Sequence, residues 1–144
     1  MGEALFMSAS STTWVPAPYP PDLTERALQL ADLANLVPPG HWVTYGDLGE
    51  AAGLGEAGKS ARGVASALSF APLNLPPDEW SIPWHRIRME NGNIKTREVG
   101  EVKDPHNSFN ALFTAEGGRL IGASASEGRR YPLAALIRSG RLTP

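Results

Sequence analysis

Apolar residues recur at helical spacing early in the chain, at Leu23, Ala27, Leu30, Ala31 and Ala34, with Leu33 and Val37 extending the stripe. That period predicts an amphipathic helix with this face inward. Asp22 or Thr24 is placed to cap its start, and Glu25 suits its first turn. Pro38-Pro39-Gly40 ends it. The pattern then changes. His41-Trp42-Val43-Thr44-Tyr45-Gly46 is a short aromatic and β-branched run closed by glycine. Thr44 is placed to cap a second helix over 47–52, which sets Asp47 at its positive end. A glycine-rich turn (53–58) leads to a third helix over 59–69. Val64, Ala67 and Leu68 form its apolar face, and the opposite face (Ala61, Gly63, Ala65, Ser66) is unusually small.

A short helix, a glycine turn and a helix with a basic first turn form the pattern of a helix-turn-helix. An αα-hairpin packed inside the protein would show the same periodicity. Residues 70–81 read as a loop broken by prolines. Ile82 to Arg97 then reads as strand, turn and strand about Asn91-Gly92, a strong hairpin signal that after a helix-turn-helix suggests a wing. A fourth helix is expected over 105–116, with Phe109, Leu112 and Phe113 inward and Gly117-Gly118 stopping it. A short strand over 119–122 and an apolar segment over 133–137 follow. The expected fold is mainly α, a winged helix-turn-helix DNA-binding domain with a small β-hairpin wing. Residues 1–21, rich in serine and proline, read as a flexible tail, unless Trp14 and Tyr19 pack on the domain. Residues 22–118 form the domain, and 119–144 form an extension packed on it or partly flexible.

Composition narrows the chemistry. A chain of 144 residues, 42% hydrophobic and 19% charged, suits one ordinary folded domain. It contains no cysteine, so disulfides, thiolate catalysis and cysteine-ligated zinc are excluded. The three histidines (His41, His85, His106) lack ligand spacing, so no metal or other cofactor is expected. No membrane span or secretory leader is apparent, and a cytoplasmic location is expected. The net charge of −2 is unevenly spread. Residues 1–83 carry three basic and nine acidic side chains, whereas residues 84–144 carry ten basic and six acidic ones. A basic half on a mildly acidic chain can present a local positive face.

The stretch Ile82-Pro83-Trp84-His85-Arg86-Ile87 carries the candidate chemistry. By composition alone it reads as a buried strand start with Trp84 in the core. Its context is Val37-Pro38-Pro39-Gly40, Thr44-Tyr45-Gly46, Lys59-Ser60-Ala61-Arg62-Gly63-Val64, the Asn91-Gly92 turn and Ala115-Glu116-Gly117. In that order these segments resemble the DNA-binding domain of O6-alkylguanine-DNA alkyltransferases and, more narrowly, the alkyltransferase-like proteins. The resemblance covers roughly residues 24–118. In the active enzymes the residue between the proline and the histidine is the cysteine that accepts the alkyl group as a thiolate. Here it is Trp84, as in the alkyltransferase-like proteins, and no cysteine elsewhere can substitute. The resemblance thus implies a non-enzymatic protein that binds O6-alkylguanine in double-stranded DNA by nucleotide flipping and signals to a nucleotide excision repair protein. A monomer is expected.

The resemblance also implies roles for single residues. Arg62 resembles the arginine finger that fills the gap left by a flipped nucleotide, a task suited to a planar guanidinium. Tyr45 resembles the tyrosine that presses on the neighbouring phosphate. Pro83 and Trp84 would line the lesion pocket, with Trp84 as an aromatic wall. Arg97 resembles a sensor of the guanine edge. Ser60, Ala61 and Gly63 would let the helix backbone approach DNA, while Lys59 and Arg88 attract phosphates. His85 and Glu116 match positions that activate the cysteine through a water in the enzymes, and with Arg86 they are expected here as a structural network. Two other readings compete: a winged-helix protein without lesion specificity, and a hydrolase in which His85 and Glu116 activate water.

Overall fold

The computed structural model describes residues 13–55, 57–69, 71–72, 75–94 and 107–144. The fold is mainly helical. Helix α1 (Glu25–Ala34) is capped by Thr24, whose side chain accepts from the Ala27 amide at 3.1 Å. Its buried face is Ala27, Leu30, Ala31, Leu33 and Ala34, the stripe expected from the periodicity. Gly40, beyond its end, has φ +81° and sits so close to the chain at Glu116 that an added Cβ would lie 3.0 Å from the Glu116 carbonyl oxygen. Glycine meets both demands.

Strand β1 (Val43–Thr44) runs straight into helix α2 (Tyr45–Ala51). Thr44 and Asp47 form a reciprocal capping box: the Asp47 amide donates to Thr44 Oγ1 at 2.9 Å, and the Thr44 amide donates to Asp47 Oδ2 at 3.0 Å. The helix starts at Tyr45, two residues earlier than the sequence suggested. Helix α3 (Ala57–Leu68) also starts earlier than expected, and it packs closely on α2. Gly49 makes this possible, since a Cβ there would collide with the Ser60 side chain. Ser60 is buried and its hydroxyl donates to the Gly46 carbonyl at 3.1 Å. The expected placement of Ser60 on the DNA side is therefore wrong. It lies four residues before Val64, and so on the inward stripe of the same helix.

Strand β2 (Ile87–Arg88) pairs in parallel with β1, with Val43 opposite Ile87 and Thr44 opposite Arg88. The first strand of the expected hairpin thus finds its partner more than forty residues back in the chain. The turn itself forms, with the Met89 amide donating to the Asn93 carbonyl and the Gly92 amide to Met89, both at 2.8 Å. Most of the expected returning strand lies outside the described residues. Arg88 corrects a second expectation. It is fully buried and cannot meet a phosphate; it donates from Nε to the His85 carbonyl and from Nη1 to the Gly92 carbonyl, with its guanidinium 4.5 Å from the centre of the Phe113 ring. Burial pushes its pKa down to about 10.

Helix α4 (Asn107–Ala115) carries Phe109 and Phe113 into the interior. The strand expected over 119–122 is one arm of a small antiparallel hairpin, β3 (Leu120–Ile121) with β4 (Ser124–Ala125). The apolar segment near the C-terminus is helix α5 (Leu133–Arg138), packed on α2 with Leu133 in the core. The 119–144 extension is therefore integral to the domain, tied also by a bridge between Trp42 and Arg130. Of the 1–21 segment, residues 1–12 lie outside the described residues, and the rest carries the packing that the sequence left open for Trp14 and Tyr19. Trp14 is buried, and Tyr19 donates to Asp32 at 2.7 Å while accepting from Asn35 at 2.9 Å.

Candidate nucleic-acid interface

Helix α3 presents Lys59, Arg62, Gly63 and Ser66 to solvent, and Ala61 is half-buried beside them. Nothing lies within 4 Å of where a Gly63 Cβ would sit. The missing side chain therefore makes no room for the protein itself and leaves the helix backbone open to an approaching surface. Two cations next to bare backbone, on the second helix of a helix-turn-helix, suit a polyanion.

The Pro83–Arg86 loop lies deeper. Pro83 leads into a single 3₁₀ turn over Trp84–Arg86, closed by the Trp84 amide donating to Ile82 and the Arg86 amide to Pro83, both at 2.8 Å. The chain then enters β2. Because β2 pairs with β1, the loop is held beside the start of α2, where Tyr45 sits. The side chains of Tyr45 and Trp84 are 5% and 6% exposed and belong to one hydrophobic cluster. Burial raises the Tyr45 pKa, so its phenol stays neutral. Pro83 is buried as well. In this conformation the basic pair is at the surface and the aromatic pair is inside, so contact between a base and Trp84 requires the loop to open.

Behind the loop is a polar network. His85 Nε2 is 2.9 Å from Glu116 Oε1, Arg86 donates from Nε to Oε1 at 3.0 Å and from Nη2 to Oε2 at 2.6 Å, and Arg86 Nη1 donates to the Val37 carbonyl at 2.8 Å. Burial alone would raise the Glu116 pKa, but the hydrogen bonds from His85 and Arg86 outweigh it and hold the carboxyl down at about 2. Burial dominates at His85 and lowers its pKa against the pull of Glu116, so the imidazole is neutral. With a carboxylate as its acceptor, Nε2 carries the proton and Nδ1 is the bare lone pair. Nδ1 has no protein partner among the described residues.

Sequence reasoning missed two members of this network. Trp14 donates its backbone N–H to Glu116 Oε2 at 3.0 Å, its ring meets His85 edge-on at 5.5 Å between centres, and the Arg86 guanidinium lies 5.5 Å from its ring centre. Trp80 stacks on His85 at 6.0 Å and on Phe109 at 5.1 Å. Their aromatic character was the available signal, but both stand in proline-rich stretches whose composition says only that no helix forms there. Arg97 lies outside the described residues. The structure therefore brings His85, Arg86 and Glu116 together, sets Tyr45 and Trp84 in one cluster, leaves Lys59 and Arg62 exposed, and turns Ser60 away.

A search of curated proteins finds no match to the chain. Residues 26–117, however, match the family model for the DNA-binding domain of 6-O-methylguanine DNA methyltransferase. That span runs from the first helix through His85, Arg86 and Glu116, and by it the chain belongs to the 6-O-methylguanine DNA methyltransferase DNA-binding domain family.

Proposed function

We propose that this DNA-binding domain is a non-enzymatic sensor of O6-alkylguanine. The observation that carries the reading is the residue between Pro83 and His85. It is Trp84, in a chain without a cysteine, on a loop whose supporting network of His85, Arg86 and Glu116 is fully formed. Indole has no nucleophilic atom able to accept an alkyl group from guanine under mild conditions, but it is a large stacking surface. The transfer step is gone and the frame of the loop is kept.

In the proposed mechanism Lys59 and Arg62 draw the phosphate backbone onto α3. Arg62 enters the base stack as the damaged nucleotide swings out, and Tyr45 presses on the neighbouring phosphate. A damaged base costs less to unpair, which contributes selectivity. The loop opens, the base stacks on Trp84 against Pro83, and Arg97 senses the guanine edge. Stacking of this kind contributes about 1–3 kcal/mol per base. The bent, long-lived complex of one monomer on duplex DNA is the signal to a nucleotide excision repair protein. His85 and Glu116 hold the loop and catalyse nothing.

Binding to a duplex with one O6-methylguanine, compared with the undamaged duplex, tests this. Wild type is expected to prefer the lesion, Trp84→Ala to lose about tenfold on the lesion alone, and Arg62→Ala to weaken lesion binding by a similar factor. Mass spectrometry of both partners after incubation is expected to show the alkyl group still on guanine. Equal affinity for both duplexes, or a lesion that disappears, overturns the proposal.

A further inference from the structure

We infer that Trp14 is a positioning residue of the lesion site, and that residues 14–19 are a strap holding the Ser81–Arg86 loop in register; this rests on the function proposed above. The strap touches the site at both ends. At its start, the Trp14 amide donates to Glu116 Oε2, the oxygen that also accepts from Arg86 Nη2, so one carboxylate gathers the strap, His85 and Arg86. The Trp14 ring fills the space between His85 and Arg86, edge-on to the first and facing the guanidinium of the second. These are the two residues that follow Trp84. On the other side, the Trp14 indole donates to the Pro77 carbonyl at 2.8 Å, and the Ala17 amide donates to the Trp80 carbonyl at 2.7 Å. These bonds fasten the long proline-broken segment that leads into the loop. At the far end, Tyr19 bonds Asp32 on α1 and Asn35, and Asn35 in turn donates to the Ser81 carbonyl at 3.1 Å. The strap thus contacts the chain on each side of Trp84, while Lys59 and Arg62 stand exposed on α3.

Position follows from this arrangement. The Ser81–Arg86 loop has two backbone bonds of its own, Trp84 to Ile82 and Arg86 to Pro83, and is otherwise held by contacts with other segments. The orientation of Trp84 depends on its own burial and on what holds His85 and Arg86, both of which Trp14 contacts. The strap anchors the chain on both sides of Trp84, so the loop opens between fixed ends; without it the opened loop takes many orientations, Trp84 is presented poorly, and stacking on a flipped base weakens. Loosening the strap leaves the phosphate contacts of Lys59 and Arg62 as they were. Lesion preference and general DNA affinity should therefore separate.

The test uses the whole chain with Trp14→Ala, Trp14→Phe and the milder Tyr19→Phe. Affinities are measured for the O6-methylguanine duplex and the undamaged duplex at one salt concentration, together with hydrogen exchange of the amides of residues 82–87. Trp14→Ala is expected to lose about tenfold in lesion preference with the undamaged affinity unchanged, Trp14→Phe to recover most of it, and Tyr19→Phe to lose two- to threefold, roughly the scale of partly lost stacking. Amides of 82–87 should exchange faster in Trp14→Ala. If both affinities fall in parallel in every variant, or if lesion preference is untouched while exchange rises, Trp14 is only a stabilising core residue and the inference is overturned. If Trp14→Ala does not fold, Tyr19→Phe decides on the same criteria. A wild-type chain with no lesion preference defeats the functional reading instead; the strap is then judged by exchange alone, and unchanged exchange defeats it too.

Discussion

His85 and Glu116 face each other at 2.9 Å with both side chains fully buried, thirty-one residues apart in sequence. The carboxylate is charged and the imidazole is neutral, because Arg86 supplies the countercharge to Glu116 and burial disfavours a second cation. The pair is therefore a charged Arg86–Glu116 bridge with a neutral histidine attached. The bridge ties Arg86, and with it the Pro83–Arg86 loop, to the end of α4.

Acid should dismantle this network in two stages. The pKa of each group is lower in the folded protein than in the unfolded chain, so each contributes stability at high pH that is lost as protons are added. For His85 the loss begins as pH falls through its ordinary value of 6.5. For Glu116 it begins near 4.5 and runs down towards about 2. The Glu116 part amounts to roughly 3 kcal/mol as an upper figure. Urea midpoints are expected to be level above pH 7, to decline gently below 6.5 and to drop steeply below 4.5. Glu116→Gln should be destabilised by about 3–5 kcal/mol at pH 7, because it leaves Arg86 unpaired, and should lack the steep acid limb.

Salt dependence tests which cations reach DNA. Lys59 is exposed on α3, whereas Arg88 is buried and spends its donors on two carbonyls. For Lys59→Ala, the slope of log Kd against log salt should shrink by about 1, the contribution of one phosphate contact. Arg88→Met should leave the slope unchanged. It should instead destabilise the fold by about 2 kcal/mol, since the His85 and Gly92 carbonyls lose their donor. Fluorescence anisotropy at four salt concentrations and a urea titration give both numbers. A lower slope for Arg88→Met would show that it reaches phosphate in the complex.

What was legible in the sequence was local. Thr24 and Thr44 cap because a hydroxyl one residue before a helix meets free amides whatever surrounds it. The α1 stripe follows from helical period alone. The β1–β2 pairing was not legible, because two-residue strands carry no period and their partners are distant in sequence. Ser60 was misplaced by carrying over the DNA-facing role that the resemblance implied, when its spacing from Val64 already set it inward. Arg88 was misplaced by reading charge as exposure, when nearby carbonyls and the Phe113 ring accommodate a guanidinium inside. The Pro83–Arg86 loop was legible as a motif, but its dependence on Trp14 was not, since no local rule joins residues separated by most of the chain.

Arg130 gives the C-terminal extension a role that can be measured. It donates from Nε and Nη2 to the two oxygens of Asp47, both at 2.9 Å, and from Nη1 to Glu90 at 2.7 Å. Asp47 is also the reciprocal member of the α2 capping box, so one carboxylate serves the helix start and the extension at once. Hydrogen bonds from Arg130 to Asp47 and to Glu90 raise its pKa further, and the guanidinium stays charged at every working pH. The Asp47 bridge is partly shielded and has bidentate geometry, while Glu90 is exposed and adds little. Arg130→Ala should therefore cost about 1–2 kcal/mol, more than an ordinary surface pair. Arg130→Lys should recover less than half, because an ammonium cannot reach both Asp47 oxygens in the same plane. A double-mutant cycle with Asp47→Asn, read by urea unfolding, should give a coupling of about 1 kcal/mol. The coupling should shrink only slightly in 0.5 M salt, on the order of a quarter, if the pair is as shielded as its packing indicates.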